Sequence, residues 1–163
     1  MLAGASAEVG VVFTAITLIL GALWGKPTWG TWWVWDARLT SELILLFLYG
    51  GFLALVAAID DPRRADRAGA LLAIVGSVNI PIIYFSVVWW NTLHQGASVS
   101  PAMAPKMAAI MLQAMLLMTL SFWAYAFAVI FVRARAIALE RDNAASWADA
   151  AVGRARPQTE AAT

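Results

Sequence analysis

The 163-residue chain has no cysteine, a single histidine, and charges on only 13% of its residues. Without thiols it can form no disulfide, no thiolate zinc site, no iron–sulfur cluster and no thioether link to a cofactor. An ordinary soluble domain is about 25% charged, so a chain this poor in charge and 62% apolar cannot dress its surface for water. A net charge of +1 provides no basic face for nucleic acid, and no nucleic-acid partner is expected. Nucleophile–base pairs, paired carboxylates and a Walker A phosphate loop are also missing, and the chain does not read as an enzyme. What is present is apolar and arranged in long runs, with a mean hydropathy of +0.74. The expected solvent is the lipid bilayer.

Four runs, over residues 9–24, 39–59, 68–90 and 107–132, approach or exceed the roughly 20 helical residues that cross a hydrocarbon core. The sequence therefore predicts an all-α, polytopic membrane bundle of four transmembrane helices. The first run is short unless Ala3 to Glu8 adds a turn, and it lacks the basic start and small-residue cleavage site of a signal peptide. Loops over 25–38 and 91–106 lie on one side, whereas the 60–67 turn and the 133–163 tail lie on the other. The second side carries eight arginines (63, 64, 67, 133, 135, 141, 154 and 156), and the first carries Lys26, Arg38 and Lys106. Enrichment of Lys and Arg in cytoplasmic segments puts both termini in the cytoplasm and both long loops outside. The tail, rich in alanine and mixed charge, is expected to extend the last helix to about Trp147 and to end at Gly153 and Pro157. Its arginines suit anionic lipid headgroups.

Seven of the nine tryptophans gather on the outer side, at Trp24, Trp29, Trp32, Trp33, Trp35, Trp89 and Trp90. An interfacial aromatic belt is the bland explanation, but a belt populates both interfaces, and the inner one has only Trp147. Pro27 and Gly30 favour a loop or short surface helix over continuation of the first span. If helical, the stretch puts Trp29, Trp32, Trp33 and Asp36 on one face; if extended, it aligns Trp29, Thr31, Trp33 and Trp35. Either backbone gives an apolar shelf. Aromatic contacts add about 0.5–1.5 kcal/mol each beyond burial, which suits a large planar ligand such as a porphyrin.

His94 supplies the polar requirement. It falls four residues after Trp90, on the same helical face, just before Gly96, which reads as the C′ terminator of the third helix. A histidine at a helix end is commonly a plain hydrogen-bonding group, but neutral imidazole is also an axial ligand of haem iron. Haem propionates want cations, and Lys26 and Arg38 flank the tryptophans. Arg38 could equally pair with Glu42 one turn on. Asp36 reads as the N-cap of the second helix, with an indole hydrogen bond or a ligand-orienting role as the alternative. Asn79 and Pro81 mark a kink and an interhelical polar contact. The methionines at 103, 107, 111, 115 and 118 read as packing rather than sulfur ligation.

The runs WGKPTWGTWWVWDARLTSELILLFLYGG and NIPIIYFSVVWWNTLHQG resemble the haem-handling WWD-domain proteins of cytochrome c maturation, most closely the CcmC (haem exporter protein C) branch. Related cytochrome c synthases usually have proline after the aspartate, where this chain has Asp36-Ala37-Arg38. The likeness covers about residues 11–96. It implies a multi-pass inner-membrane protein whose region 1–132 handles haem b, bound non-covalently and transiently at the periplasmic face. Its implied partners are the haem chaperone CcmE, the small protein CcmD and the transporter subunits CcmA and CcmB. Within this resemblance Trp29, Trp32, Trp33, Trp35, Asp36, Arg38, Trp89, Trp90 and His94 form the haem site, with His94 as an axial iron ligand. The family usually has six spans and a second axial histidine upstream, so the sequence reads as a fragment lacking two N-terminal spans. The competing readings are a structural or assembly subunit anchored by its tryptophans, a cytochrome b-type carrier and a solute channel. The carrier would need paired intramembrane histidines, and the channel would need polar residues along several spans.

Overall fold

The computed structural model describes residues 1–90, 92–94, 99 and 105–155. Among these there are five helices and no strand: α1 (Leu2–Trp29), α2 (Ala37–Ala57), α3 (Pro62–Ser77), α4 (Asn79–Trp89) and α5 (Ala109–Ala155). Because α3 and α4 follow one another in a single apolar run, four segments are long and apolar enough to cross a membrane: Leu2–Trp29, Ala37–Ala57, Pro62–Trp89 and Ala109–Asn143. α2 packs on α1, α3 and α4, while α5 packs along α1. The resulting layer is thin, and its outward side chains, such as Phe47, Val88, Ile110 and Phe131, are exposed as a lipid-facing surface requires.

Small residues set the close approaches. A Cβ on Gly10 would meet the Tyr49 ring at 2.7 Å, and one on Gly69 would meet Phe52 at 2.9 Å. These glycines let α1 and α3 approach α2, the usual device where lipid tails remove the hydrophobic drive for helix association.

Three helix ends differ from the sequence reading, and α3 starts at Pro62, inside the expected 60–67 turn. α1 does not leave the helix at Gly25 but runs through Pro27 to Trp29. Proline lacks an N–H and clashes with the preceding turn in a helix interior, yet Pro27 lies in the last turn, where little helix remains to be disturbed. The Thr28 hydroxyl donates to the Trp24 carbonyl at 2.9 Å, and Gly30, at φ 79°, closes the end with its N–H on Lys26 O at 3.0 Å. The next helix to differ is α4, which stops at Trp89; Trp90 is extended, so His94 does not share a helical face with it. Gly96, the expected terminator, and Met103 lie outside the described residues. Lastly, α5 continues past Gly153 to Ala155, since a single glycine costs a helix only about 1 kcal/mol; Pro157 is outside the described residues. At 1.5 Å per residue, the 47 residues of α5 extend about 70 Å, more than twice a hydrocarbon core.

The helix is interrupted where the kink is expected. α3 ends at Ser77, and Asn79, buried at the start of α4, donates from Nδ2 to the Ser41 carbonyl of α2 at 2.9 Å. Pro81 has no N–H for the Ser77 carbonyl, which explains a break at this point. Asn79→Ala is expected to lower resistance to detergent unfolding by about 0.6–2 kcal/mol, the range for interhelical hydrogen bonds in membranes. A denaturant titration followed by circular dichroism would check it.

The N-terminal half of α1, the α2–α3 turn and the distal part of α5 share one end. There Arg133 makes a two-point contact with Glu8, at 2.6 and 2.8 Å, and Arg141 approaches Asp66 at 3.8 Å. The tryptophan segment and His94 occupy the opposite end.

Candidate functional site

The site begins where α1 ends. Gly25 is buried, and a Cβ there would lie 3.3 Å from both the Thr31 carbonyl and the Trp29 ring. Its missing side chain lets the segment after Gly30 fold back over the helix. The Thr31 hydroxyl donates to Trp33 O at 3.0 Å and holds the turn. Asp36 then starts α2, its Oδ1 accepting from Leu39 N at 2.8 Å, which is the expected N-cap geometry.

The other oxygen of the same carboxylate does more. Asp36 Oδ2 lies 2.8 Å from His94 Nδ1, with side-chain exposures of 5% and 21% respectively. His94 is further fixed by its own N–H, which donates to Thr92 Oγ1 at 3.2 Å, and by Trp29, whose ring meets the imidazole edge-on at 4.6 Å and 68°. Trp29 also packs edge-to-face on Trp24, 5.2 Å away. Trp24, Trp29, His94 and Asp36 are thus one connected cluster, built from the end of α1, the start of α2 and the segment after α4.

The remaining indoles form two further groups. Trp33 and Trp35, whose centroids are 5.4 Å apart, pair across an extended spacing of two, so the non-helical alternative describes this part of the loop. Trp32 is half exposed, with Lys26 Nζ 5.9 Å above its ring and also bonded to Gly30 O at 3.1 Å. Trp89 stacks on Phe85 at 5.1 Å and 17°, and meets Trp90 edge-on at 5.8 Å. Among the described residues no ring contact joins Trp89 and Trp90 to the loop tryptophans. Arg38, on the first turn of α2, is half-buried and makes no ion pair with Glu42 among the described residues. Met111, Met115 and Met118 lie on the exposed surface of α5, and Met107 precedes that helix.

One polar atom is left over. Trp33 Nε1 is buried and has no hydrogen-bond partner among the described residues. A buried donor without an acceptor costs about 1–3 kcal/mol. His94 Nε2 likewise makes no hydrogen bond to a described residue, since the ring is held through Nδ1. The groups on offer are a set of aromatic rings, an imidazole with one nitrogen unbonded among the described residues, a buried N–H, and Lys26 and Arg38 at the flanking helix ends, a donor set that would suit an anionic, planar, metal-bearing ligand. No group of three or more His, Asp or Glu able to cage a bare metal ion occurs among the described residues. Sequence reasoning missed the stack of Phe85 on Trp89, a four-residue helical spacing that was visible, and the Asp36–His94 pair, for which nothing in the sequence is a signal.

Together the helices and this cluster define a multi-pass helical membrane protein with a tryptophan-rich end. The match to known sequences narrows this class. The chain belongs to the heme exporter protein C (CcmC) family, which it matches over residues 1–149. It is 62% identical over 104 residues to "Heme exporter protein C" of Escherichia coli (strain K12), covering 61% of this chain and 42% of that relative. Identity to the protein of the same name from Haemophilus influenzae is 48% over 146 residues, 90% of this chain and 59% of the relative. For Bradyrhizobium diazoefficiens it is 49% over 140 residues, 86% and 51% respectively. The chain thus spans about half the length of these relatives.

Proposed function

We propose that this chain takes part in haem export for cytochrome c maturation, holding haem at the periplasmic face of a bacterial inner membrane and presenting it to the chaperone CcmE. CcmD and the transporter subunits CcmA and CcmB are its proposed neighbours. The cargo is haem b, held non-covalently and transiently: a chain without cysteine offers no thiol for a thioether bond. His94 supplies an axial ligand to the iron, and Trp29, Trp32, Trp33 and Trp35 of the loop, together with Trp89 and Trp90 at the end of α4, provide the apolar seat. Arg38 and Lys26 steer the propionates. The chain's part is to bind, orient and release, and no bond-making step is assigned to it. The arginine-rich end faces the cytoplasm, as the charge asymmetry favours.

The observation that carries this reading is the cluster in which Trp29 meets His94 at 4.6 Å while Asp36 holds that imidazole at 2.8 Å. It places a constrained imidazole against an indole at the end of the bundle where the other loop tryptophans lie. The direct test is to titrate haem into the purified full chain in detergent micelles. A saturable Soret shift is expected, and its absence overturns the reading.

Trp33 provides a second handle. If its buried N–H serves a propionate oxygen, Trp33→Phe keeps an aromatic ring, though a smaller one, and removes the donor that has no partner among the described residues. The haem-free variant is expected to be at least as stable as the original in thermal unfolding. Its haem affinity is expected to fall about 10- to 150-fold, since a hydrogen bond to a charged group contributes about 1.5–3 kcal/mol. Equal affinity for haem would remove Trp33 from that role.

A further inference from the structure

We infer that Asp36 is a positioning residue that selects the tautomer of His94, so that Nε2 is the nitrogen offered to iron. The inference rests on the haem-holding reading for its purpose, but its physical content stands apart from it. An ionised carboxylate only accepts hydrogen bonds, whereas a neutral imidazole has one N–H and one lone pair. Asp36 Oδ1 is committed to Leu39 N–H and Oδ2 to His94 Nδ1, both at 2.8 Å. The first contact is the N-cap of the 21-residue helix α2, which fixes the direction in which the second oxygen faces His94. His94 Nδ1 must then carry the proton, and the lone pair is left on Nε2.

The arrangement resists rearrangement. With its side chain 5% exposed, Asp36 meets little competing water, and moving it would uncap α2. Rotation of the imidazole would break its contact with the Trp29 ring at 4.6 Å, and Thr92 Oγ1 fixes the His94 backbone. One carboxylate therefore ties the only histidine of the chain to the rigid start of a transmembrane helix. Outer-sphere carboxylates are known to fix the tautomer and ring orientation of histidine ligands and to raise their basicity.

Two substitutions separate this role from plain capping. Asp36→Asn keeps an N-cap acceptor, but with its oxygen on Leu39 N–H the amide turns its NH2 toward His94 Nδ1. That nitrogen must then accept, which shifts the proton to Nε2. Asp36→Ser also caps, but its shorter side chain leaves Nδ1 without a partner. Because the chain has one histidine, [15N]histidine labelling of the full chain in micelles reports His94 alone. With the ring neutral and no haem present, the unaltered chain is expected to show a protonated Nδ1 and an unprotonated Nε2. Asp36→Asn is expected to reverse this, and Asp36→Ser to give a mixture, with helix content unchanged by circular dichroism. Protonated Nε2 in the unaltered chain, or the same tautomer in all three proteins, overturns the inference.

A haem titration supplies the second arm. Asp36→Asn is expected to bind haem about 10- to 100-fold more weakly, the usual cost of losing an outer-sphere partner. In a His94→Ala background the same change should cost little, because the two residues act as a unit. Equal costs in both backgrounds overturn the positioning role. A chain with the expected tautomer that binds no haem overturns the haem reading alone; one that binds haem with Nε2 protonated overturns this inference alone.

Discussion

His94→Ala is expected to abolish iron coordination by this chain and to weaken haem binding by about two orders of magnitude or more. The lower bound follows from the 10- to 100-fold typical of losing only an outer-sphere partner; loss of the ligand itself must exceed it. Residual binding to the indole shelf should persist, with a spectrum close to that of haem in micelles. Added imidazole should restore the coordinated spectrum, because the substitution leaves a space beside Trp29 and Asp36. The fold should be little affected, since His94 is partly exposed and lies outside the helices. Spectra of the variant with and without imidazole, beside thermal unfolding curves, check each part.

The second large effect concerns Trp29. Its ring contacts both Trp24, at 5.2 Å, and His94, at 4.6 Å, so Trp29→Ala removes two aromatic contacts and leaves the imidazole held from one side only. At about 0.5–1.5 kcal/mol for each contact, the loss is about 1–3 kcal/mol. That loss should appear in thermal unfolding, and haem affinity should fall as well, because an imidazole held from one side only must be ordered when iron binds. Trp29→Phe should recover most of it. Trp147→Ala, in the distal part of α5, should leave haem binding unchanged, which distinguishes a specific seat from a general need for indoles. Equal losses for Trp29→Ala and Trp147→Ala would favour the anchoring role of the tryptophans.

The four crossings were legible because hydropathy and length are properties of contiguous sequence, and the lipid environment makes helices the only economical way to satisfy such a backbone. The interruption at Asn79 and Pro81 was legible for the same local reason. Helix ends were not. Pro27 looked like a terminator, but Gly30 and Thr28 shift the end past it to Trp29, and only the assembled turn shows which of these wins. His94 was placed on the third helix by counting from Trp90, a count that fails once Trp90 is extended.

The site was legible in its ingredients and not in its wiring. Tryptophan density and the lone histidine singled out segments that the fold brings to one end, and Asp36 was read correctly as a cap. That its second oxygen grips His94 depends on two loops meeting across 58 residues of chain, and no periodicity reports such a meeting. Trp33 Nε1, buried and without a partner among the described residues, is of the same kind, because burial of one indole nitrogen depends on everything folded around it.

The central claim is that His94, seated against the tryptophan platform, binds the iron of haem. Pulsed EPR of ferric haem bound to the [15N]histidine-labelled full chain tests it most directly, because the single histidine leaves no other source of a histidine signal. A strong 15N hyperfine coupling from one imidazole, absent from His94→Ala, is the expected result. Haem bound stoichiometrically with no 15N coupling would contradict the account.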